Sequence, residues 1–114
     1  MDKAEVTRLR DEVAAELSTL DQSLLSLFEA SRSSNADDEH DPEGSTIGYE
    51  RAQLSAVRDA ARRRLADLDD ALRRLDDGSY GICEVCGEPI PAERLEARPS
   101  ARTCVGCAGR RPFR

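Results

Sequence analysis

Two identical cysteine pairs constrain this chain more than any other feature. Cys83 and Cys86 form one CxxC motif, Cys104 and Cys107 form the other, and the sequence contains four cysteines in all. This pattern is typical of a closed tetrahedral zinc site. Because four thiolates fill every coordination position, no position remains for water or substrate. The cysteines therefore predict one structural zinc, and we do not expect an enzyme.

The residues around the cysteines fit a small metal-stabilised module. Glycines crowd the motifs, and they allow the tight turns that aim amide N–H groups at sulfur. A segment from Pro91 to Ala97 predicts a short helix, which Pro99 ends. The alternative of two thioredoxin-like dithiols would need a βαβ context, which this sequence lacks. Because few other apolar residues are present, the module is expected to require metal for folding; they are Ile82, Val85, Ile90 and Leu95.

Upstream of the cysteines, two long segments have the apolar spacing of amphipathic helices. The first covers residues 2–33 and opens with Asp2 and Glu5 in a capping-box arrangement. The second covers residues 47–77, and Gly78 is placed to end it in a left-handed conformation. Gaps of three and four residues define both apolar stripes. The stripes are Val6, Leu9, Val13, Leu17, Leu20, Leu24 and Leu27, and Leu54, Val57, Ala61, Leu65, Leu68, Leu72 and Leu75.

Residues 34–46, between the two segments, are rich in turn-forming and acidic side chains and predict a loop or a helix start. Asp41 and Pro42 suit the cap and first turn of the second helix. Two helices of matched length should fold back as an antiparallel pair of roughly 45 Å. The predicted fold is mainly α: a long antiparallel coiled-coil hairpin over residues 1–77, with an acidic tip at about 34–46, followed by a small C4 zinc-finger module over 78–114. A larger helical bundle is the alternative for these stripes.

Composition narrows the class of function. The formal net charge is −6, and charged residues make up 35% of the chain, which suits exposed helices. No dense basic surface of the kind that drives DNA binding is evident. No segment has the apolar length that a membrane span needs, and Met1–Val6 do not resemble a secretory signal. We therefore expect a cytoplasmic protein without direct specific DNA binding.

The cysteine module resembles the DksA/TraR family C4-type zinc finger. The resemblance is carried by residues 80–90, which read Tyr-Gly-Ile-Cys-Glu-Val-Cys-Gly-Glu-Pro-Ile, by Arg94–Pro99, and by Cys104–Cys107. It implies a coiled-coil hairpin attached to the finger, with zinc as the metal. It also implies binding to core RNA polymerase, with the hairpin entering the secondary channel and acidic tip residues approaching the active centre.

The resemblance assigns roles to particular residues. The partner-binding tip would comprise Asp37, Asp38, Glu39 and Asp41. Known members carry an Asp-x-x-Asp-x-Ala motif there, and residues 38–43 keep both aspartates but have glutamate in place of alanine. A placement from Asp41 instead has Gly44 at the second aspartate and Thr46 at the alanine. Arg94 and Arg98 are candidate surface contacts on the finger.

The family's second possible partner is the alarmone ppGpp. Arg98 matches an arginine of the ppGpp-responsive members. Asp67 and Ala108, however, stand where those members carry basic residues. We therefore do not predict ppGpp dependence.

Two other functions are compatible with the same residues. The first is a zinc-ribbon nucleic-acid binder that uses Arg110, Arg111 and Arg114, which the acidic net charge disfavours. The second is a redox- or zinc-responsive sensor whose thiolates release the metal. The oligomeric state stays open, because apolar stripes can also pair between chains.

Overall fold

The computed structural model describes residues 1–35 and 42–109. Helix α1 spans Lys3–Asn35, α2 spans Pro42–Asp77, and α3 spans Ala92–Ala97. A 3₁₀ helix covers Val105–Cys107, and an isolated antiparallel bridge joins Ile82 and Pro89. Within these ranges, no helix combines the length and apolar character that crossing a membrane requires.

The start of α1 is stabilised by the predicted capping box. The backbone N–H of Glu5 donates to Oδ1 of Asp2 at 2.8 Å, and the N–H of Asp2 donates to Oε1 of Glu5 at 3.0 Å. Each side chain thus satisfies a backbone donor that has no partner within the helix. The prediction of one uninterrupted helix from this cap is confirmed.

Helix α2 begins and ends at residues with special backbone properties. It begins at Pro42, whose fixed φ suits a first helical turn. The segment between α1 and α2 is therefore residues 36–41, which lie outside the described residues. At the other end Gly78 has φ +85°, and the N–H groups of Ser79 and Tyr80 donate to the carbonyl of Arg74 at 3.0 and 3.1 Å. This is the left-handed helix end predicted for Gly78.

The chain divides into two compact units. One contains Met1–Asp11 and Ala66–Arg114, and the other contains Glu12–Leu65. The division into a hairpin and a cysteine module at residue 77 stays a prediction. In the first unit, antiparallel pairing brings Lys3 to Asp76 at 2.9 Å and Arg10 to Asp69 at 2.8 Å.

In the second unit, the helices are again antiparallel. Glu16 faces Arg64 at 3.2 Å and Asp21 faces Arg58 at 3.7 Å. Two long helices paired in this way confirm the predicted mainly α hairpin.

We call the contact surface between α1 and α2 the seam. Its apolar residues are those of the two predicted stripes, with one exception. Val6, Val13, Ala61 and Leu68 are buried, and the other predicted positions are half-buried except Val57. The prediction for Val57 was wrong, because 48% of this residue is exposed.

Arg58 takes the seam position instead of Val57. It lies four residues after Leu54 and three before Ala61, so it continues the alternating spacing of the seam. Val57 is rotated from this position by one residue, about 100° around the helix.

Candidate metal centre

The four cysteine side chains converge on one point. Their Sγ atoms all lie within 4.8 Å of one another, and none forms a disulfide. Cys83 and Cys107 are buried, Cys104 is half-buried and Cys86 is exposed. No other histidine, cysteine or carboxylate of the described residues joins this cluster. The donor set is therefore four sulfurs, as the sequence predicted.

The first cysteine pair lies in a tight hairpin. The N–H of Cys83 donates to the carbonyl of Glu88 at 2.8 Å, and the N–H of Ile90 donates to that of Gly81 at 2.7 Å. The turn closes where the N–H of Gly87 donates to the carbonyl of Cys83 at 2.9 Å. Gly81 and Gly87 have φ values of +82° and +77°, which residues with a side chain rarely adopt. These two glycines therefore allow the chain to fold around Cys83 and Cys86.

The second pair is presented by the short 3₁₀ helix. The N–H of Cys107 donates to the carbonyl of Cys104 at 3.1 Å, which places both side chains on one side of the turn. The N–H of Glu84 donates to the carbonyl of Arg102 at 2.9 Å and joins the two halves of the module. The sequence separation between the pairs is thus closed by backbone hydrogen bonding.

The module has a small core in which the cysteines are prominent members. Its buried residues are Cys83, Ile90, Leu95, Ala101 and Cys107, with Tyr80 and Cys104 packed against them. Ile82 and Val85, which the sequence suggested as apolar support, are 43% and 38% exposed. With so little buried hydrocarbon, we expect the module to need metal coordination to offset the loss of chain entropy.

Local hydrogen bonding gives two of the thiols different pKa values. Backbone hydrogen bonds, foremost that from Cys86, lower the pKa of Cys83 to about 6. The side-chain hydrogen bond with Cys104, followed by burial, raises the pKa of Cys107 to about 12. Zinc binds thiolates and releases the protons of bound thiols. Four convergent sulfurs, one of them already acidic, fit a single Zn²⁺.

A polar cluster connects the last turns of α2 to the cysteine module, and the sequence analysis did not identify it. Asp70 accepts hydrogen bonds from Nε of Arg74 at 2.9 Å and from Nη2 of Arg102 at 2.6 Å, and it also pairs with Arg73. Partial burial opposes ionisation of Asp70. The hydrogen bonds from Arg73 and Arg74 outweigh it, so the pKa of Asp70 lies below its usual range.

Arg74 and Tyr80 complete this connection through backbone carbonyls. Arg74 donates to the carbonyls of Ser100 and Ala101 at 3.4 and 3.5 Å, and its guanidinium lies 5.8 Å from the centroid of the Tyr80 ring. The Tyr80 hydroxyl donates to the carbonyl of Pro99 at 2.8 Å. Burial raises the pKa of Tyr80. We refer to Asp70, Arg74, Tyr80 and Arg102 as the joint. The four-residue spacing of Asp70 and Arg74 was the only local signal for it.

The two candidate surface arginines lie beside one cavity. Arg94 is half-buried, and its Nε donates to the carbonyl of Thr103 at 2.7 Å, whereas Arg98 is exposed. Both line a cavity of about 280 Å³ that Asp67 and Ala108 also line. The structure therefore brings Arg98, Asp67 and Ala108 together, although they are distant in sequence.

The predicted tip lies outside the described residues. This applies to Asp37, Asp38, Glu39 and Asp41, and equally to the basic residues Arg110, Arg111 and Arg114.

Comparison with known proteins supports the assignment of the cysteine module. Residues 78–112 match the family model described as the prokaryotic dksA/traR C4-type zinc finger. This match and the convergent cysteines confirm the predicted resemblance and the zinc finger, with one structural zinc as its cofactor.

Several proteins resemble longer parts of the chain. The RNA polymerase-binding transcription factor DksA of Caulobacter vibrioides is 52% identical over 56 residues, covering 49% of this chain and 39% of the relative. General stress protein 16O of Bacillus subtilis is 40% identical over 72 residues, covering 63% of this chain and 44% of the relative. The matches thus span less than half the length of these curated relatives.

A solved structure extends the similarity to the fold. The structure of transcription factor DksA2 from Pseudomonas aeruginosa aligns with a TM-score of 0.58 and 27% sequence identity. The alignment covers 96% of this chain and 84% of that protein. The hairpin followed by a cysteine module is therefore an arrangement shared with a transcription factor.

Proposed function

We propose that this chain is a zinc-containing transcription regulator that binds core RNA polymerase and inserts its helical hairpin into the secondary channel. In this proposal Cys83, Cys86, Cys104 and Cys107 hold the zinc. The acidic residues between the helices, foremost Asp37, Asp38, Glu39 and Asp41, act near the polymerase active centre. No covalent chemistry is assigned to the chain.

The observation that carries the proposal is the combination of the finger with two long antiparallel helices. The finger matches the DksA/TraR family model, and a relative that is 52% identical over the aligned segment is named as an RNA polymerase-binding factor. Helices α1 and α2 have 33 and 36 residues, and the sequence between them is acidic and distant along the chain from the cysteines. Carboxylates in that position are suited to Mg²⁺ or to basic side chains.

The zinc has a structural role in this proposal. When bound, it would cross-link the two cysteine pairs and hold their loops together. The chain's own residues then orient the module through the joint, where Arg74 and Tyr80 donate to backbone carbonyls. Regulation would follow from how the hairpin is presented to the polymerase.

We leave ppGpp out of the set of partners. Asp67 and Ala108 line the cavity beside Arg98. Arg94, Arg98 and Arg102 line the same cavity, but Asp67 contributes a carboxylate and Ala108 no charge at the two positions where the ppGpp-responsive members carry basic residues.

The first experiment measures binding of the zinc-loaded chain to purified core RNA polymerase, together with its effect on transcription. A variant with Asp37, Asp38 and Asp41 changed to alanine tests the tip. A control variant with Glu29, Glu50 and Glu93 changed to alanine alters the net charge equally at exposed positions elsewhere. We expect the first variant to bind but to lose its effect on transcription, and the control to keep both properties.

Competition identifies the binding site on the polymerase. A known secondary-channel protein should displace the chain if the hairpin enters that channel. Absence of binding by the zinc-loaded wild-type chain would refute the proposal. Binding without competition would refute only the secondary-channel site.

A redox- or zinc-responsive sensor is the second candidate, and the exposure of Cys86 favours it. This thiol is open to solvent, and its Sγ lies 3.9 Å from that of Cys104. Oxidants reach exposed thiolates most readily. Rapid zinc release in dilute peroxide, measured with a zinc-sensitive dye, would support this function, and retention of zinc would exclude it.

A further inference from the structure

Each long helix has one partly buried arginine at a seam position that leucine occupies seven and fourteen residues later; Arg51, seven residues before Arg58, is exposed. In α2, Leu65 and Leu72 follow Arg58 at intervals of seven residues. In α1, Leu17 and Leu24 follow Arg10 at the same interval. The side chain of Arg58 is only 29% exposed and that of Arg10 only 35%. Both arginines therefore lie at the helix–helix contact.

Each of these arginines pairs with an aspartate on the facing helix. Nε of Arg10 lies 2.8 Å from Oδ1 of Asp69, within the unit formed by the chain termini. In the other unit, Nη1 of Arg58 lies 3.7 Å from Oδ1 of Asp21. The Arg58 Nε is buried and has no hydrogen-bond acceptor, although Oδ1 of Asp59 lies 3.6 Å away. Arg58 thus weakens the seam compared with a leucine at the same position.

The apolar side chains alone do not define how the helices pair. Because the seam repeats every seven residues, sliding one helix by seven residues again places apolar residues against apolar residues. In the observed pairing, Arg58 faces Asp21. Sliding by seven residues in either direction would place Arg58 opposite Ala14 or Phe28. Ala14 offers no polar group, and Phe28 offers only a ring face, as it does to Arg51 at 5.7 Å. Both shifted pairings therefore remove the carboxylate that the facing helix supplies to a partly buried guanidinium.

We propose that Arg58, paired with Asp21, sets the register of the helical hairpin. It is a positioning residue that lowers the stability of the seam and excludes shifted pairings. A single polar residue in an apolar seam has this effect in coiled coils generally. The register matters because it determines which residues of α1 lie opposite which residues of α2.

The test compares three variants of the zinc-loaded full chain. Arg58→Leu restores an apolar seam, and Arg62→Leu makes the same charge change at an exposed position of α2. The number of amide signals in NMR spectra reports the number of registers, with Gly48 as a resolvable reporter in α2. Sedimentation reports the oligomeric state. The third variant exchanges the charges, with Asp21→Arg and Arg58→Asp together.

We expect Arg58→Leu to raise the melting temperature by about 4 °C while giving several signals for Gly48 or a mixture of monomers and dimers. Arg62→Leu and the charge-exchange variant should each give one signal and one species. A single register in monomeric Arg58→Leu would overturn the proposal, as would several registers in the charge-exchange variant.

A further variant keeps the test decisive if Arg58→Leu does not fold. Asp21→Asn removes the carboxylate that the facing helix supplies in the native register, while Asp59 of the same helix stays near Arg58 in every register, so the native pairing loses its advantage. Several Gly48 signals would support the register role. One signal with a lower melting temperature would show that the pair contributes only stability.

Discussion

Changing Asp70 to asparagine tests whether the joint holds the cysteine module to the end of α2. Asparagine keeps the shape of the side chain and removes its charge. Asp70 and Arg74 are 16% and 15% exposed, so their hydrogen bond is charge-assisted and largely shielded from water. Such a bond contributes about 1.5–3 kcal/mol. The bond from Arg102, which is 49% exposed, adds about 1 kcal/mol or less.

The expected cost of Asp70→Asn is therefore about 2–4 kcal/mol, or a fall of roughly 8–15 °C in melting temperature for a chain of this size. The pKa of Asp70 is lowered in the folded state, so its contribution is complete above the unfolded value of about 3.9. The contribution is lost only as the pH falls through the lower folded pKa. Thermal unfolding of the zinc-loaded chain at neutral pH, followed by circular dichroism, therefore measures the full effect.

Asp69→Asn is the matched control, since it removes the same charge one residue earlier. Asp69 is 50% exposed and binds Arg10, so its loss should cost about 1 kcal/mol or less. Equal decreases for the two variants would refute the assignment of Asp70 as the centre of the joint.

Three further predictions concern the cysteine module and its connection. Removing zinc with a chelator should abolish the dispersed NMR methyl signals of Ile90 and Leu95, because two of the five buried residues of that core are cysteines; unchanged signals would show that the metal is dispensable. In a Tyr49→Phe background, the ultraviolet titration of Tyr80 should have its midpoint above the usual value of about 10, and stability should fall as the pH rises from about 10 through that raised pKa. A Tyr80→Phe variant should not show this alkaline fall. Gly78→Ala should cost about 1–2 kcal/mol in a thermal melt from its left-handed conformation alone, since open space surrounds the added methyl group, and a much larger loss would contradict this reasoning.

Local sequence patterns predicted the features that depend only on residues close together in the chain. The capping box of Asp2 and Glu5 and the helix end at Gly78 each depend on neighbours within a few residues. The same holds for the cysteine motifs, because their spacing follows from the coordination of one ion. These features could be predicted because the residues that cause them lie next to one another in the chain.

The seam around Val57 shows where pattern reading fails. An apolar pattern favours Val57, and its gaps of three and four residues are as regular as those of the other stripe. The structure instead buries the stem of Arg58, whose aliphatic portion covers apolar surface while its head reaches Asp21. A rule based on hydrophobicity alone cannot assign an arginine to a seam.

The joint could not be predicted for a different reason. Its bonds connect Arg74 to Ser100 and Ala101, and Tyr80 to Pro99, across loops whose path depends on the folded cysteine module. Tyr80 packs against the core of that module. The acceptors of its hydroxyl and of Arg74 could not be predicted, because every residue has a backbone carbonyl and the sequence does not show which carbonyl will accept.

This use of carbonyl groups has a consequence for mutational tolerance. Arg74 and Tyr80 donate their hydrogen bonds to main-chain oxygens, so the side chains of Pro99 and Ser100 contribute none of these bonds. Substitutions at those two positions can accumulate without loosening the attachment, provided that the chain follows the same path. The contact therefore depends on the identity of the donor side chains Arg74 and Tyr80, and the residues that supply the carbonyls can change. New surface features can therefore evolve on this loop while the connection beneath it stays unchanged.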